Sequence, residues 1–294
     1  MSGVEHLIRL DDRTVLWAEE LGNPSAPALL LVMGANASGL TWPDALVDRL
    51  AQRHRVIRYD HRDTGRSSRV FAERPYAIRD LADDAVAVLD ALDVDRAHVV
   101  GMSMGGVLVQ LLLLDHPDRL LSATVLATAG LGVGLAAPGG GPAELPGPSP
   151  VLLEHWASMG EDREREGELA WRVEHWRLLA GDVLPFDPGG FRALEEAVMA
   201  HSGEVRGPVA HALADQSGLD RGPELAGNRV PTLVVEAPED PINPPPHAAN
   251  LVATIGAARL VTIPGMGHAL PPQVHGPLAA AIEAHTAAVD DLGR

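Results

Sequence analysis

The chain has 294 residues, a formal net charge of −17, and neither cysteine nor lysine, so all 23 basic side chains are arginine. Those absences exclude disulfides, thiolate metal sites, cysteine nucleophiles, lysine Schiff bases and the phosphate lysine of a P-loop. Hydrophobic residues at 46% and charged residues at 21% describe a globular chain with a sizeable core, and the acidity leaves no basic surplus for nucleic acid or an anionic membrane.

The segment 1–12 has no cationic stretch followed by an apolar core, so no secretory signal is expected. The apolar runs at 28–33 and 111–114 are far too short to span a bilayer. The expectation is a cytoplasmic protein whose acidic excess is mostly solvated surface. Strands are predicted at 14–18, 28–33, 55–59, 97–100 and 122–127, and helices at 42–51, 78–92 and 106–115. The run Ala-Leu-Leu-Leu-Val-Met at 28–33 is continuously apolar, as a strand covered on both faces must be. This alternation predicts an α/β fold with a mostly parallel, doubly wound sheet.

The pattern breaks at a Gly- and Pro-rich connection over 130–150. Only helical periodicity follows to about Leu225, before strands at 232–236 and 258–262 and a closing helix at 274–289. The domains implied are a core of 1–130 and 226–294 and a helical cap of 131–225. The cap segment carries 16 acidic and 7 arginine residues and half of the chain's ten aromatics. Those rings either fill a small helical core or line an apolar pocket over the active site; Asn36, Trp156, Trp176 and Phe186 are the candidate pocket residues.

Gly101-Met102-Ser103-Met104-Gly105 is a G-x-S-x-G sequence set between a predicted buried strand and an apolar helix, the context of a nucleophile elbow. A serine hydroxyl needs a base beside it and a third group to orient that base. Of 13 histidines, His268 alone sits in a Gly-rich loop directly after a core strand, at the sheet's carboxyl edge. His6, His54, His98, His116 and His285 are read as lying at or near element surfaces. Asp240 follows the strand at 232–236 and gives the chain order Ser–Asp–His, with Glu236 and Glu239 as rivals. The oxyanion hole is expected from the backbone amides of Met104 and of Ala35, in the turn Met33-Gly34-Ala35-Asn36.

Four stretches carry a family resemblance: Leu-Leu-Leu-Val-Met-Gly-Ala-Asn at 29–36, Tyr-Asp-His-Arg-Asp-Thr-Gly-Arg-Ser at 59–67, Ala-His-Val-Val-Gly-Met-Ser-Met-Gly at 97–105 and Ile-Pro-Gly-Met-Gly-His-Ala-Leu-Pro at 263–271. Over nearly its whole length the chain resembles an α/β-hydrolase. More narrowly it resembles the aclacinomycin methylesterase type of polyketide biosynthesis, a likeness shared by the cap segment 176–181 and by Pro185-Phe186-Asp187. Most α/β-hydrolases have His-Gly where this chain has Met33-Gly34, which leaves the backbone donor in place. The resemblance implies Ser103 as nucleophile, Asp240 as acid and His268 as base, and a methyl ester of a flat polyketide such as an anthracycline as substrate.

The segment 60–67 lacks metal-ligand spacing and is read as a hydrogen-bonded loop supporting the site. Gly130-Leu131-Gly132-Val133-Gly134 lacks the helix and acid of a dinucleotide loop and is read as the hinge into the cap. The expected activity is cofactor- and metal-free hydrolysis of a small-molecule carboxylic ester, with no nucleic-acid or membrane partner and no indication of oligomeric state. The same triad also serves C–C bond hydrolases, perhydrolases and acyltransferases, and the fold can persist as a small-molecule receptor.

Overall fold

The computed structural model describes residues 3–133 and 145–292. Most of the Gly/Pro-rich connection, with Gly134 of the expected hinge, lies outside them. Eight strands, β1 (Val4–Arg9), β2 (Val15–Leu21), β3 (Ala28–Val32), β4 (Arg55–Tyr59), β5 (Ala97–Met102), β6 (Leu120–Leu126), β7 (Thr232–Glu236) and β8 (Ala258–Thr262), form one sheet ordered β1-β2-β4-β3-β5-β6-β7-β8. β2 runs antiparallel to β1 and β4, and every other neighbouring pair is parallel.

The period-two geometry of a strand sends alternate side chains to opposite faces. Leu30 and Val32 of β3 join one core cluster with α2 (Asp80–Ala91), α3 (Met104–Asp115) and α8 (His247–Thr254). Leu29 and Leu31 join the other, with α1 (Asp44–Leu50) and α9 (Pro272–Leu292). All five residues of β3 are buried, which accounts for its uninterrupted apolar run. α3 buries ten of its twelve residues and is apolar right round, as a helix covered on all sides must be.

The chain leaves β3 toward β4 on one side, and β5 pairs with β3 on the other. This reversal opens a crevice at the carboxyl ends of β3 and β5, where open α/β sheets take their ligands. Between β6 and β7 stand α4 (Pro150–Trp156), α5 (Arg165–Ala180), α6 (Pro188–Ser202) and α7 (Ala210–Leu213). Leu152, Leu179, Phe191 and Ala269 centre a third apolar cluster, which joins these cap helices to the loop carrying His268. Arg172, almost enclosed, pairs with Glu168 at 2.8 Å and Glu195 at 2.9 Å, and Glu195 also accepts the Trp176 indole N–H at 2.7 Å.

Several expectations need correction. β1 and α8 were not foreseen. His54, His98 and His285 are buried at 3%, 1% and 3% exposure instead of lying at the surface. His54 and His98 sit beneath α9 and His285 belongs to α9 itself; His54 meets Thr286 at 2.9 Å, His98 meets Ser122 at 2.8 Å, and His285 meets the Ala123 carbonyl at 3.1 Å. Of the 40 acidic residues, Asp60, Asp63, Asp84, Glu168, Glu195 and Asp240 are buried.

Candidate active site

β5 ends at Met102 and α3 begins at Met104, so the chain turns from strand to helix within Ser103. That turn forces Ser103 to φ 56°, ψ −123°, a conformation that L-residues hold only when their surroundings impose it. The flanking glycines are a steric necessity. A Cβ on Gly101 would overlap the Gly105 carbonyl, and one on Gly105 would overlap the Val32 carbonyl and stand 2.7 Å from that of Met33. The elbow is pinned from below, because the Ser103 amide donates to the Leu126 carbonyl at 3.1 Å and Thr128 Oγ1 donates to the Ser103 carbonyl at 2.7 Å. Ser103 is half-buried, and its hydroxyl has no hydrogen-bond partner among the described residues.

Gly34, in the turn after β3, lies directly against the elbow. A Cβ there would stand 3.1 Å from Ser103 Cβ and 3.6 Å from its Oγ. The same turn carries Ala35. Met104, the first residue of α3, has an amide with no acceptor inside the helix, and the helix dipole adds partial positive charge there.

His268 Nδ1 lies 2.9 Å from each carboxylate oxygen of Asp240, 28 residues earlier. A carboxylate can only accept, so Nδ1 carries the proton and Nε2 remains as the basic nitrogen. Asp240 is itself anchored, accepting the amides of Ile242 at 2.8 Å and Asn243 at 3.0 Å. Burial pushes its carboxyl up, but attraction to the His268 ring when it is protonated, together with these hydrogen bonds, outweighs burial and leaves it below the ordinary carboxylate range. The His268 amide donates to the Leu179 carbonyl at 2.7 Å, tying its loop to the cap helix α5. Glu239 and Glu236 do not share this contact: the Glu239 amide bonds Met266, and the Glu236 carboxylate accepts from Thr262 at the rim.

A space of about 230 Å³ opening to solvent lies between cap and core, lined by residues that include Met33, Met102, Trp176, Phe191, Leu194 and Leu270. Trp176, Phe191 and Phe186 stack in series, with centroids 5.3 and 5.0 Å apart. Trp176 lines the space, whereas Trp156 and Phe186 pack in the cap's apolar cluster. Asn36 Oδ1 accepts the His211 amide N–H at 3.0 Å.

In the segment 60–67, Asp60 is fully enclosed and accepts from Ser38 Oγ at 2.6 Å, from the amides of Gly39 and Arg66 at 2.8 Å, and from His201 Nε2 of the cap at 2.7 Å. No group of three His, Asp or Glu residues that could hold a metal occurs among the described residues.

Residues 27–150 match the model of the alpha/beta hydrolase fold. The rhodomycin D methylesterase of Streptomyces sp. (strain C5) is 48% identical over 287 residues, covering 94% of this chain and 96% of the relative. The chain belongs to the α/β-hydrolase family. This hydrolase is equally similar to the rhodomycin D methylesterase of Streptomyces peucetius, at 48% identity over 95% of this chain and 97% of that one. A solved hydrolase from Pseudomonas aeruginosa superposes with a TM-score of 0.70 at 26% identity, over 97% of this chain and 99% of the other. No described helix of the hydrolase is long and apolar enough to cross a membrane.

His201 and His211 make cap contacts that motif reading missed, because no local spacing distinguishes them from other histidines. His61 lies in the segment read as a loop supporting the site, and its ring meets the Met33 carbonyl at 3.0 Å.

Proposed function

We propose that the protein is a serine carboxylesterase that removes the methyl group from the ester of an anthracycline-like aromatic polyketide. The observation that carries the chemistry is the buried Asp240–His268 pair, held on loops at the same sheet edge as the strained Ser103 elbow. His268 Nε2 accepts the Ser103 hydroxyl proton as Oγ bonds the ester carbon. The oxyanion so formed takes hydrogen bonds from the Ala35 and Met104 amides. His268 then gives its proton to the methoxy oxygen, and methanol leaves. Water, deprotonated by the same imidazole, attacks the acyl-enzyme; the proton returns to Ser103 Oγ and the free acid departs. Asp240 holds the tautomer and stabilises the imidazolium without taking its proton.

The substrate class is supported by the two rhodomycin D methylesterases at 48% identity and by the stacked rings of Trp176 and Phe191, which line the space between cap and core. The test is turnover of an anthracycline methyl ester beside short p-nitrophenyl esters, following acid and methanol. Wild type is expected to favour the anthracycline ester, and Ser103→Ala to be inert. Full activity in Ser103→Ala would refute the mechanism; efficient action on the short esters alone would refute the substrate class.

A further inference from the structure

We propose that His61 and His211 clamp the two ends of the turn 33–36 and so act as positioning residues for the Ala35 amide. The inference rests on the serine-esterase reading above and concerns what holds its oxyanion donor in place. At the upstream end, His61 Nε2 donates to the Met33 carbonyl at 3.0 Å. At the downstream end two reciprocal bonds join Asn36 to the cap. The Asn36 amide donates to His211 Nδ1 at 2.8 Å, and the His211 amide donates to Asn36 Oδ1 at 3.0 Å.

The His211 ring is itself fixed. Its Nε2 lies 3.1 Å from the Arg62 carbonyl, an acceptor, so the proton sits on Nε2 and Nδ1 is left as the acceptor that the Asn36 amide requires. The two imidazoles meet edge to face at 5.6 Å, so the turn's two anchors brace one another. Asn36 stands at φ 57°, a left-handed conformation that costs about 1 kcal/mol and persists only under restraint. Only Gly34 and Ala35 lie between the anchored residues, and Gly34 already abuts Ser103. The Ala35 amide therefore has little freedom to turn away from the elbow.

His211 belongs to α7 of the cap, while Asn36 and His61 belong to the core. The oxyanion turn is thus completed by a cap residue 175 positions away, and docking of that part of the cap becomes a condition for catalysis. The clamp requires neutral imidazoles. Burial pushes His61 down to about 4 and His211 to about 3, with Asp60 opposing the fall at His61, Arg62 adding to it at both, and the two imidazoles' mutual repulsion adding to it at His211. The rings of Tyr59 and Tyr76 complete the surroundings. A proton on His211 Nδ1 would set one N–H against the Asn36 N–H and open the downstream end.

The test compares wild type with His211→Phe, which removes the acceptor, and Asn36→Ala, which removes the reciprocal bond. The readouts are kcat and KM for p-nitrophenyl acetate and inhibition by phenylboronic acid, whose tetrahedral serine adduct occupies the oxyanion position. Loss of a well-placed donor costs on the order of 100-fold, so misplacing it is expected to lower kcat at least about tenfold with KM nearly unchanged and to weaken the boronate in parallel. Unchanged kcat, or a loss confined to KM with boronate affinity intact, would overturn the clamp. If His211→Phe does not fold, Asn36→Ala decides. A wild-type protein that neither hydrolyses esters nor is labelled at Ser103 by a fluorophosphonate would instead refute the esterase reading, and the clamp with it.

Discussion

Acid should destabilise this fold through the same two imidazoles. His61 and His211 titrate near 6.5 when unfolded but only at about 4 and about 3 in the folded protein, chiefly because burial penalises the charged ring. Between those limits the unfolded chain binds more protons than the folded one, so stability falls as pH falls. The window opens near 6.5 and closes at about 4 for His61 and about 3 for His211. From about pH 7 to about pH 5 each ring is worth roughly 2 kcal/mol, about 4 kcal/mol together, a large share of a typical 5–15 kcal/mol of stability. Urea unfolding at both pH values, on wild type and on the double variant H61Q/H211Q, measures it. His98 and His175, whose rings are also pushed down to about 4 and about 3, are common to both proteins and cancel in the comparison. Wild type is expected to lose about 4 kcal/mol more than the variant on acidification. Equal losses would refute the assignment of these rings as neutral and buried.

Asp240→Asn should leave the protein folded while lowering kcat about 10⁴-fold, since an amide cannot hold the His268 tautomer; steady-state kinetics with thermal melts will show both. Gly105→Ala places a methyl group against the Val32 and Met33 carbonyls and is expected to cost about 1–3 kcal/mol, read as a lower midpoint in urea, together with esterase activity as Met104 is displaced. Arg172→Met strands the buried Glu168 and Glu195 carboxylates and should cost about 3–5 kcal/mol, detectable as early protease cleavage of the cap. Trp176→Ala should reduce kcat/KM for an anthracycline methyl ester by at least about tenfold more than for p-nitrophenyl acetate, because a stacking surface is lost that the small ester does not use.

Buried strands announced themselves: β4 and β7 occupy the residues that their apolar runs and flanking turns mark out, and β3 ends one residue early. β8, an exposed edge strand, also falls where its flanking turns place it. β1 escaped because it is an edge strand with Val4 and Leu7 exposed and only Ile8 enclosed, leaving no alternation to read. α8 escaped behind Pro244-Pro245-Pro246, which reads as a loop and ends the signal just before the helix begins. His54, His98 and His285 were misplaced for a different reason. Their burial comes from the packing of α9, which carries His285, over the sheet, and the partners Thr286 and Asp290 lie 232 and 192 residues from His54 and His98.

Local punctuation carries over short distances because it reflects steric demands of the backbone itself. The glycines around Ser103, the loop position of His268 and the chain order Ser–Asp–His are visible in the residues alone. Contacts across the chain are not, because no local preference distinguishes a histidine that will meet Asn36 from one that will meet water. That His268 Nδ1 lies 2.9 Å from Asp240 and not beside Glu239, that Gly34 abuts Ser103, and that cap residues His201 and His211 bond Asp60 and Asn36 were decided only when the sheet, the cap and α9 packed together. Absence of cysteine and lysine narrowed the chemistry before any fold was known; the packing of cap on core determined which of thirteen histidines had a carboxylate, a carbonyl or an amide to face.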